Sequence, residues 1–523
     1  MIPTQPSSHH QNSLTYTMSS TPLFRSLLSL SLTLGLTGIS LLPGTLYAAE
    51  LHIGHATVDI TPDRPVALAG QFNTRISTKA ETPIVAAALA MESKEGDKSV
   101  DQALIITCDL VAIRDGLQDR LRMSLAGKLP GLDLKKLLLN ATHTHTAPLT
   151  LELERNPNRY EIPKEGVMQP SEYTAFLLTR LVEVAEQAWK NRQPGGVSWT
   201  LGHAVVGQNR RAVYADGRAQ MYGNTNDARF RGLEGGEDHG VEMLFFWNAK
   251  QELQALAVNL ACPAQEVESR KAINADFWHE TREQLRKELK APNLTILGWI
   301  SAAGDQSPHL MFRKKAEERM RKLRGLTSKE EIARRVTAAV MDTVEIARKE
   351  ITPSPPFTHQ VETLSLPPRR ILPREKEQAQ MQITQYENMG TLNNYLLNML
   401  EREREVVRRA EAGDKAPNYE MELHTLRLGE VAIATNPFEL YLNYGIQMKS
   451  RSPALQTFLI QLACGSGLYL PTPEAIEGGS YSGLPHTNKV GPEGGQILVD
   501  RTVEAIRGMW PAPAAETGGA KKE

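Results

Sequence analysis

Residues 138–148, LLNATHTHTAP, run out of an apolar block into two histidines and stop at a proline. In an extended segment side chains alternate faces, so His143 and His145 are expected on the same side. Two imidazoles at i and i+2 on one face present nitrogens to a metal, or one to a metal and one to the ligand that the metal binds. The threonines around them, Thr142, Thr144 and Thr146, favour a strand or strand end. A bare His-x-His is equally what a polar strand end with locally hydrogen-bonded histidines looks like, and short motifs often match by chance. The rest of the chain has to decide.

Working outward, residues 137–142 read as the strand that delivers His143. Before it, residues 103–110 (ALIITCDL) read as a buried strand ending in Asp109, and residues 116–128 have helical spacing. Strand, helix, strand predicts an α/β layer arrangement with functional groups at strand ends. Further strands are expected at residues 51–60, 83–92, 197–206, 241–247, 253–262, 294–300, 361–366 and 423–434. Helices are expected at 170–191, 275–289 and 499–510. Two strongly charged helical regions, 312–350 and 375–412, are expected on the outside or in a lid, without chemistry of their own. No internal repeat or linker divides residues 50–510, so one large α/β domain of mixed β-sheets flanked by helices is expected there.

Of 523 residues, 41% are hydrophobic and 23% charged, enough for an ample core. A net charge of -1 gives no bulk electrostatic case for nucleic acid or an anionic membrane. Three cysteines, Cys108, Cys262 and Cys464, define no disulfide framework. Near the N-terminus, Arg25 precedes an apolar run to Leu42, followed by Tyr47-Ala48-Ala49. That order is expected of a secretory signal peptide over residues 1–49, and therefore of a periplasmic or extracellular protein; an uncleaved anchor would be short at about 16 apolar residues. The Pro-, Ala- and Gly-rich tail, 511–523, is expected to be disordered.

Several points along the chain resemble, in order, the catalytic domain of the neutral/alkaline non-lysosomal ceramidases. Asp59-Ile60-Thr61-Pro62 is similar to that family's opening motif, and Ala141-Thr142-His143-Thr144-His145 resembles its A-T-H-T-H. Gly304-Asp305-Gln306-Ser307-Pro308-His309 resembles its G-D-V-S-P-N. Tyr469 and Tyr481, twelve residues apart, resemble a tyrosine pair of the same separation. The resemblance implies a zinc hydrolase (cofactor Zn2+) that cleaves the N-acyl amide of a sphingolipid, with a small-molecule or lipid amide as partner and peripheral contact with a membrane. It implies His143 and Tyr469 as metal ligands, and His145, Arg210 and Tyr481 as groups at the reacting carbonyl. Ser307 matches the family serine, as nucleophile or substrate contact. Zinc lowers the pKa of bound water to about 7 and pre-positioned donors stabilise the oxyanion, which is the chemistry this set would serve.

The chain departs from the family in three places. In Leu260-Ala261-Cys262-Pro263 a cysteine stands where the second ligand histidine belongs; a thiolate is a good zinc ligand, and an inert buried thiol is as common. His279 is a nearby imidazole that could substitute. In Asn436-Pro437-Phe438-Glu439, Asn436 holds the place of the ligand glutamate and Glu439 is the carboxylate within reach. The family's C-terminal immunoglobulin-like domain has no counterpart in the sequence. A different amide or ester substrate, or an inactive envelope-binding protein, are the alternatives these departures leave.

Overall fold

The computed structural model describes residues 49–114, 116–150 and 161–510, so the expected leader, apart from Ala49, and the expected tail lie outside the described residues. The strands that frame the site are, in chain order, β1 Glu50–Asp59, β2 Val85–Glu95, β3 Lys98–Cys108, β4 Leu137–Ala141, β5 Gln193–His203, β6 Gln208–Asn209, β7 Gly240–Asn248, β8 Leu253–Leu260, β9 Thr295–Ile300, β10 Gln306–Ser307, β11 Phe357–Leu366, β12 Tyr419–Leu428, β13 Val431–Thr435, β14 Phe438–Leu440, β15 Gln456–Ile460 and β16 Leu468–Leu470. The longer helices are α1 Leu117–Leu125, α2 Pro170–Lys190, α3 Phe277–Glu288, α4 Lys314–Leu323, α5 Ser328–Ala347, α6 Pro373–Glu387, α7 Asn394–Ala412, α8 Leu442–Arg451 and α9 Pro492–Gly508.

An eight-stranded sheet runs β9-β8-β7-β5-β1-β2-β3-β4, and a four-stranded sheet runs β11-β12-β13-β15. They pack face to face. On β3, Ile105 faces the second sheet beside Phe246, Trp299, Phe357 and Phe458, while Leu104 and Ile106 face α1 and α2. Burial on both faces is why β2 and β3 read as continuous apolar runs rather than alternating ones. The far half of the large sheet is covered by α3 and α5, and the outer face of the small sheet by α8 and α9. The result is four layers, helix, sheet, sheet, helix, as the α/β expectation required.

The charged region 312–350 differs from the expectation of an outer helix. It breaks at Gly325 (φ +69°), and α5 restarts behind a capping box of Thr327 and Glu330. Ile332, Val336, Val340 and Val344 of α5 are buried against the large sheet. The second charged region also breaks, near Gly390 (φ +75°), into α6 and α7. No helix among the described residues is long and apolar enough to cross a membrane.

Four strand pairs are parallel, β3 with β4, β8 with β9, β13 with β15, and β14 with β16. Parallel pairs bring carboxyl ends together, and those ends gather the residues singled out above. Asn140 of β4 bridges Ala463 beyond β15, which ties the two sheets together at that end.

Candidate functional site

The strand carrying the histidines ends one step earlier than its alternation suggested. Ala141 is the last paired residue, and His143 has φ +67°, a left-handed conformation that costs a non-glycine residue about 1–2 kcal/mol. The premise of an extended segment with both imidazoles on one face is therefore corrected. The rings meet instead through this kink, edge to face, with centroids 4.7 Å apart. The kink is held from outside: Nδ1 of His143 lies 2.6 Å from the Val111 carbonyl, and Asp109 accepts from Thr142 (3.1 Å) and from both arms of Arg282 (2.7 and 2.9 Å).

His145 is fixed at its backbone by Arg75, whose guanidinium donates to the carbonyls of His145 (2.6 Å), Ala69 and Glu268. Gly70 (φ +94°) passes so close that a Cβ there would stand 2.5 Å from His145 Cγ. Arg210 donates to Oε1 of Gln265 (3.2 Å), which turns the Gln265 amide so that its NH2 donates to His145 Nε2 at 2.8 Å. The His145 Nε2 lone pair is thus assigned, and Nδ1 faces Glu268 at 3.4 Å. Burial, then His143, Arg75 and Arg210, push the His145 pKa well below its ordinary value, so the ring is neutral.

With its Nδ1 donating to Val111, His143 turns Nε2 toward two acceptors: His145 Nε2 at 3.2 Å and the Glu439 carboxylate at 3.4 Å. His143 Nε2 is thus flanked by the two groups, although the three ligand atoms do not all lie within 4.8 Å of one another and the His145 Nε2 lone pair already accepts from Gln265. Glu439 arrives because Asn436 caps the turn before it, its side chain accepting from the Phe438 amide at 3.1 Å. Asn436 itself therefore serves the backbone, and Glu439 is the carboxylate at the histidines. β14 pairs with β16 so that Glu439 stands opposite Tyr469. Burial pushes the Glu439 carboxyl up, but His143, Arg210 and a hydrogen bond from Tyr469 outweigh it and hold the group below its usual range.

Arg210 lies behind this pair. It donates to the Gly304 carbonyl (2.9 Å), the Tyr469 hydroxyl (3.2 Å) and the Tyr222 hydroxyl (3.3 Å). Burial works against its charge, but Tyr469, Tyr222 and Glu439 more than restore it. Tyr222 continues to Ser307 Oγ at 3.0 Å, and Ser307 also accepts from the His309 amide. Tyr481 packs edge-on against Tyr469, centroids 5.7 Å apart, and against Phe72 at 5.5 Å. Beside His309 and Glu266 lies a cavity of about 220 Å³ walled on its other side by Lys314, Arg321 and Arg335. The charged helices α4 and α5, from which no chemistry was expected, thus line a cavity next to the site.

Two residues proposed from sequence lie elsewhere. Cys262 is buried in the apolar cluster of Phe277, Trp278 and Val336, its thiol directed at the carbonyls of Val206 (3.6 Å) and Pro263 (3.7 Å), and burial drives its pKa well above the ordinary thiol value. His279 sits on α3 among Glu280, Glu283, Arg282 and Lys329. Gln265, Glu268, Tyr222 and His309 were not singled out as site residues. The signal for Gln265 was its place three residues after Cys262; Tyr222 and Glu268 had none. For a metal, the donors present fit in part: His143, Glu439 and Tyr469 offer one nitrogen and two oxygens, with Glu439 3.4 Å from His143 Nε2 and paired with Tyr469 across the strands. Among the described residues, the set of three His, Cys or carboxylate ligand atoms lying within 4.8 Å of one another is Glu422, His424 and Cys464, at a different place.

No protein-family model matches the chain, and no curated protein does. Solved structures do. The crystal structure of neutral ceramidase from Pseudomonas aeruginosa superposes with a TM-score of 0.62 over 89% of this chain and 76% of that one, at 16% identity. A ceramidase complexed with C2 gives the same score and coverage at 17% identity. The chain has the neutral ceramidase fold, in a divergent sequence.

Proposed function

We propose that the chain is an exported, zinc-dependent hydrolase of ceramidase type, cleaving an N-acyl amide in a ceramide-like lipid or another amphiphile. The observation that carries this reading is the approach of His145 Nε2 and of the Glu439 carboxylate to His143 Nε2, at 3.2 and 3.4 Å, beside Arg210 and Tyr469. The shared fold with neutral ceramidases supports it.

His143, Glu439 and Tyr469 would hold the ion. A zinc ion there supplies Lewis acidity and lowers the pKa of water toward about 7. The chain's own residues do the rest. His145, kept neutral, would take a proton from the attacking water on Nε2 and return it to the leaving amine, the Gln265 amide that donates to that nitrogen giving way as it does so. Arg210, held before reaction by the Gly304 carbonyl and the Tyr469 hydroxyl, would be a donor for an oxyanion. Ser307, tied to Tyr222 and the His309 amide, acts as a substrate contact rather than a base-activated nucleophile, because no histidine nitrogen holds its hydroxyl.

The test is zinc by elemental analysis together with hydrolysis of a short-chain N-acyl sphingosine. We expect about one zinc per chain, lost in His143→Ala with the circular dichroism unchanged. Zinc without hydrolysis would move the substrate to another amide or ester. A chain that takes up no zinc would favour an envelope-binding protein, the reading that the burial of Cys262 and the capping role of Asn436 support.

A further inference from the structure

Helix α4 has no buried residue, yet its outer face is not simply charged. At about 3.6 residues per turn, Ala316, Met320 and Leu323 fall within about 60° of one another around the helix. All three are exposed, Met320 at 42% and Leu323 at 67%, and Phe312, just before the helix cap, is exposed at 43%. The same winding sets Lys315, Arg319 and Lys322 in a row along one side of this stripe and Arg324 on the other, all of them exposed. The opposite face, with Lys314, Glu317, Glu318 and Arg321, lines the cavity beside His309. The helix is therefore held by its polar side and shows solvent an apolar stripe between cations, the reverse of a helix that packs on a core.

Residues 313–324, RKKAEERMRKLR, carry seven cations and two acids, a net of +5 in a chain whose total is -1. The acids are already matched: Glu318 pairs with Lys322 at 2.6 Å, and Glu317 with Arg335 of α5 at 2.5 Å. Lys315 and Arg319 keep their charge toward solvent beside the stripe. The balance of the whole chain makes no electrostatic case for an anionic surface, but this one helix does. Phe312, Met320 and Leu323 together expose a few hundred Å² at most, well short of the about 800 Å² per partner that a specific protein interface buries. A bilayer needs no shape-matched partner. Apolar side chains enter the boundary of headgroups and acyl chains, while lysines and arginines at their flanks meet the lipid phosphates.

We propose that α4 docks the protein on an anionic lipid surface, with Phe312, Met320 and Leu323 inserted and Lys315, Arg319 and Lys322 on the phosphates. Docked in this way, the cavity beside His309 lies behind the helix, about 10 Å from the headgroups. The inference does not depend on the hydrolase reading, since its test reads binding and not turnover.

The full-length protein is sedimented with vesicles of phosphatidylcholine and, separately, of phosphatidylcholine with about one-third phosphatidylglycerol, and the bound state is mapped by hydrogen exchange. We expect binding to the anionic vesicles to be tighter by about tenfold or more at about 50 mM salt, to weaken steeply toward about 0.5 M, and to slow exchange over residues 312–324. The triple variants Phe312→Ser/Met320→Ser/Leu323→Ser and Lys315→Gln/Arg319→Gln/Lys322→Gln should each bind more weakly by about tenfold or more. Their melting temperatures should match the wild type, because all six side chains are exposed. Equal wild-type binding to both vesicles, or protection that leaves residues 312–324 out, would overturn the proposal with no variant needed. So would unchanged binding of either triple variant, or a wild-type dimer lost in the serine variant, which would give the stripe to a second copy of the chain.

Discussion

The molecule contains two histidine pairs built on one plan and finished in opposite ways. In each, one ring is anchored by Nδ1 to a backbone carbonyl, His143 to Val111 and His359 to Gln102, and turns Nε2 toward its neighbour. In each a glutamate stands close, Glu439 or Glu422. At His424 the neighbour presents a protonated nitrogen, the pair is closed, and the charge is internal. At His145 the neighbour is a neutral ring whose Nε2 accepts from Gln265, so no internal charge closes the pair. The difference comes from the groups around each pair. Arginines 75 and 210 surround His145 and disfavour a proton, while Cys464 and Glu422 surround His424 and hold one.

The strongest way to break this comparison is pH. The His424 pKa is raised from 6.5 to about 9, so its contribution to stability is complete below about pH 6.5 and lost as pH rises through about 9. That contribution is about 3 kcal/mol at most. Glu422 is depressed to about 2, so its contribution is present above about pH 4.5 and lost as pH falls through about 2. The wild-type melting temperature should fall between pH 6.5 and 9.5 by more than that of His424→Gln; parallel curves would remove the imidazolium.

A second test sharpens the open pair. Gly70→Ala places a Cβ against His145 in a backbone conformation alanine resists, at a cost of about 1–3 kcal/mol. Chemical denaturation should show that loss, and unchanged stability would mean that Gly70 does not set the position of His145. The smallest effect is expected of Cys262→Ala. It should cost about 1 kcal/mol by thermal denaturation and leave zinc content unchanged, since the thiol points at carbonyls inside an apolar cluster. Loss of zinc in that variant would return Cys262 to the site.

Much of the fold was legible because it rests on local patterns. The apolar runs of β2, β3 and β8 follow from burial on two faces. The site was legible only at its motif residues: His143, His145, Arg210, Glu439 and Tyr469 are brought together from four segments. Gln265 and Tyr222 were missed because their roles lie in contacts with residues 55 and 85 positions away.

By itself the sequence determined which segments form strands and helices, since hydrophobic period and turn chemistry act over a few residues. It also supplied the donors the chemistry needs. Tertiary structure alone decided which nitrogen of each imidazole carries the proton, that His143 is kinked rather than extended, and that Cys262 turns away from the site. Each of these depends on groups far along the chain, a carbonyl of Val111, an amide of Gln265, a carboxylate of Glu422, whose approach no local pattern encodes.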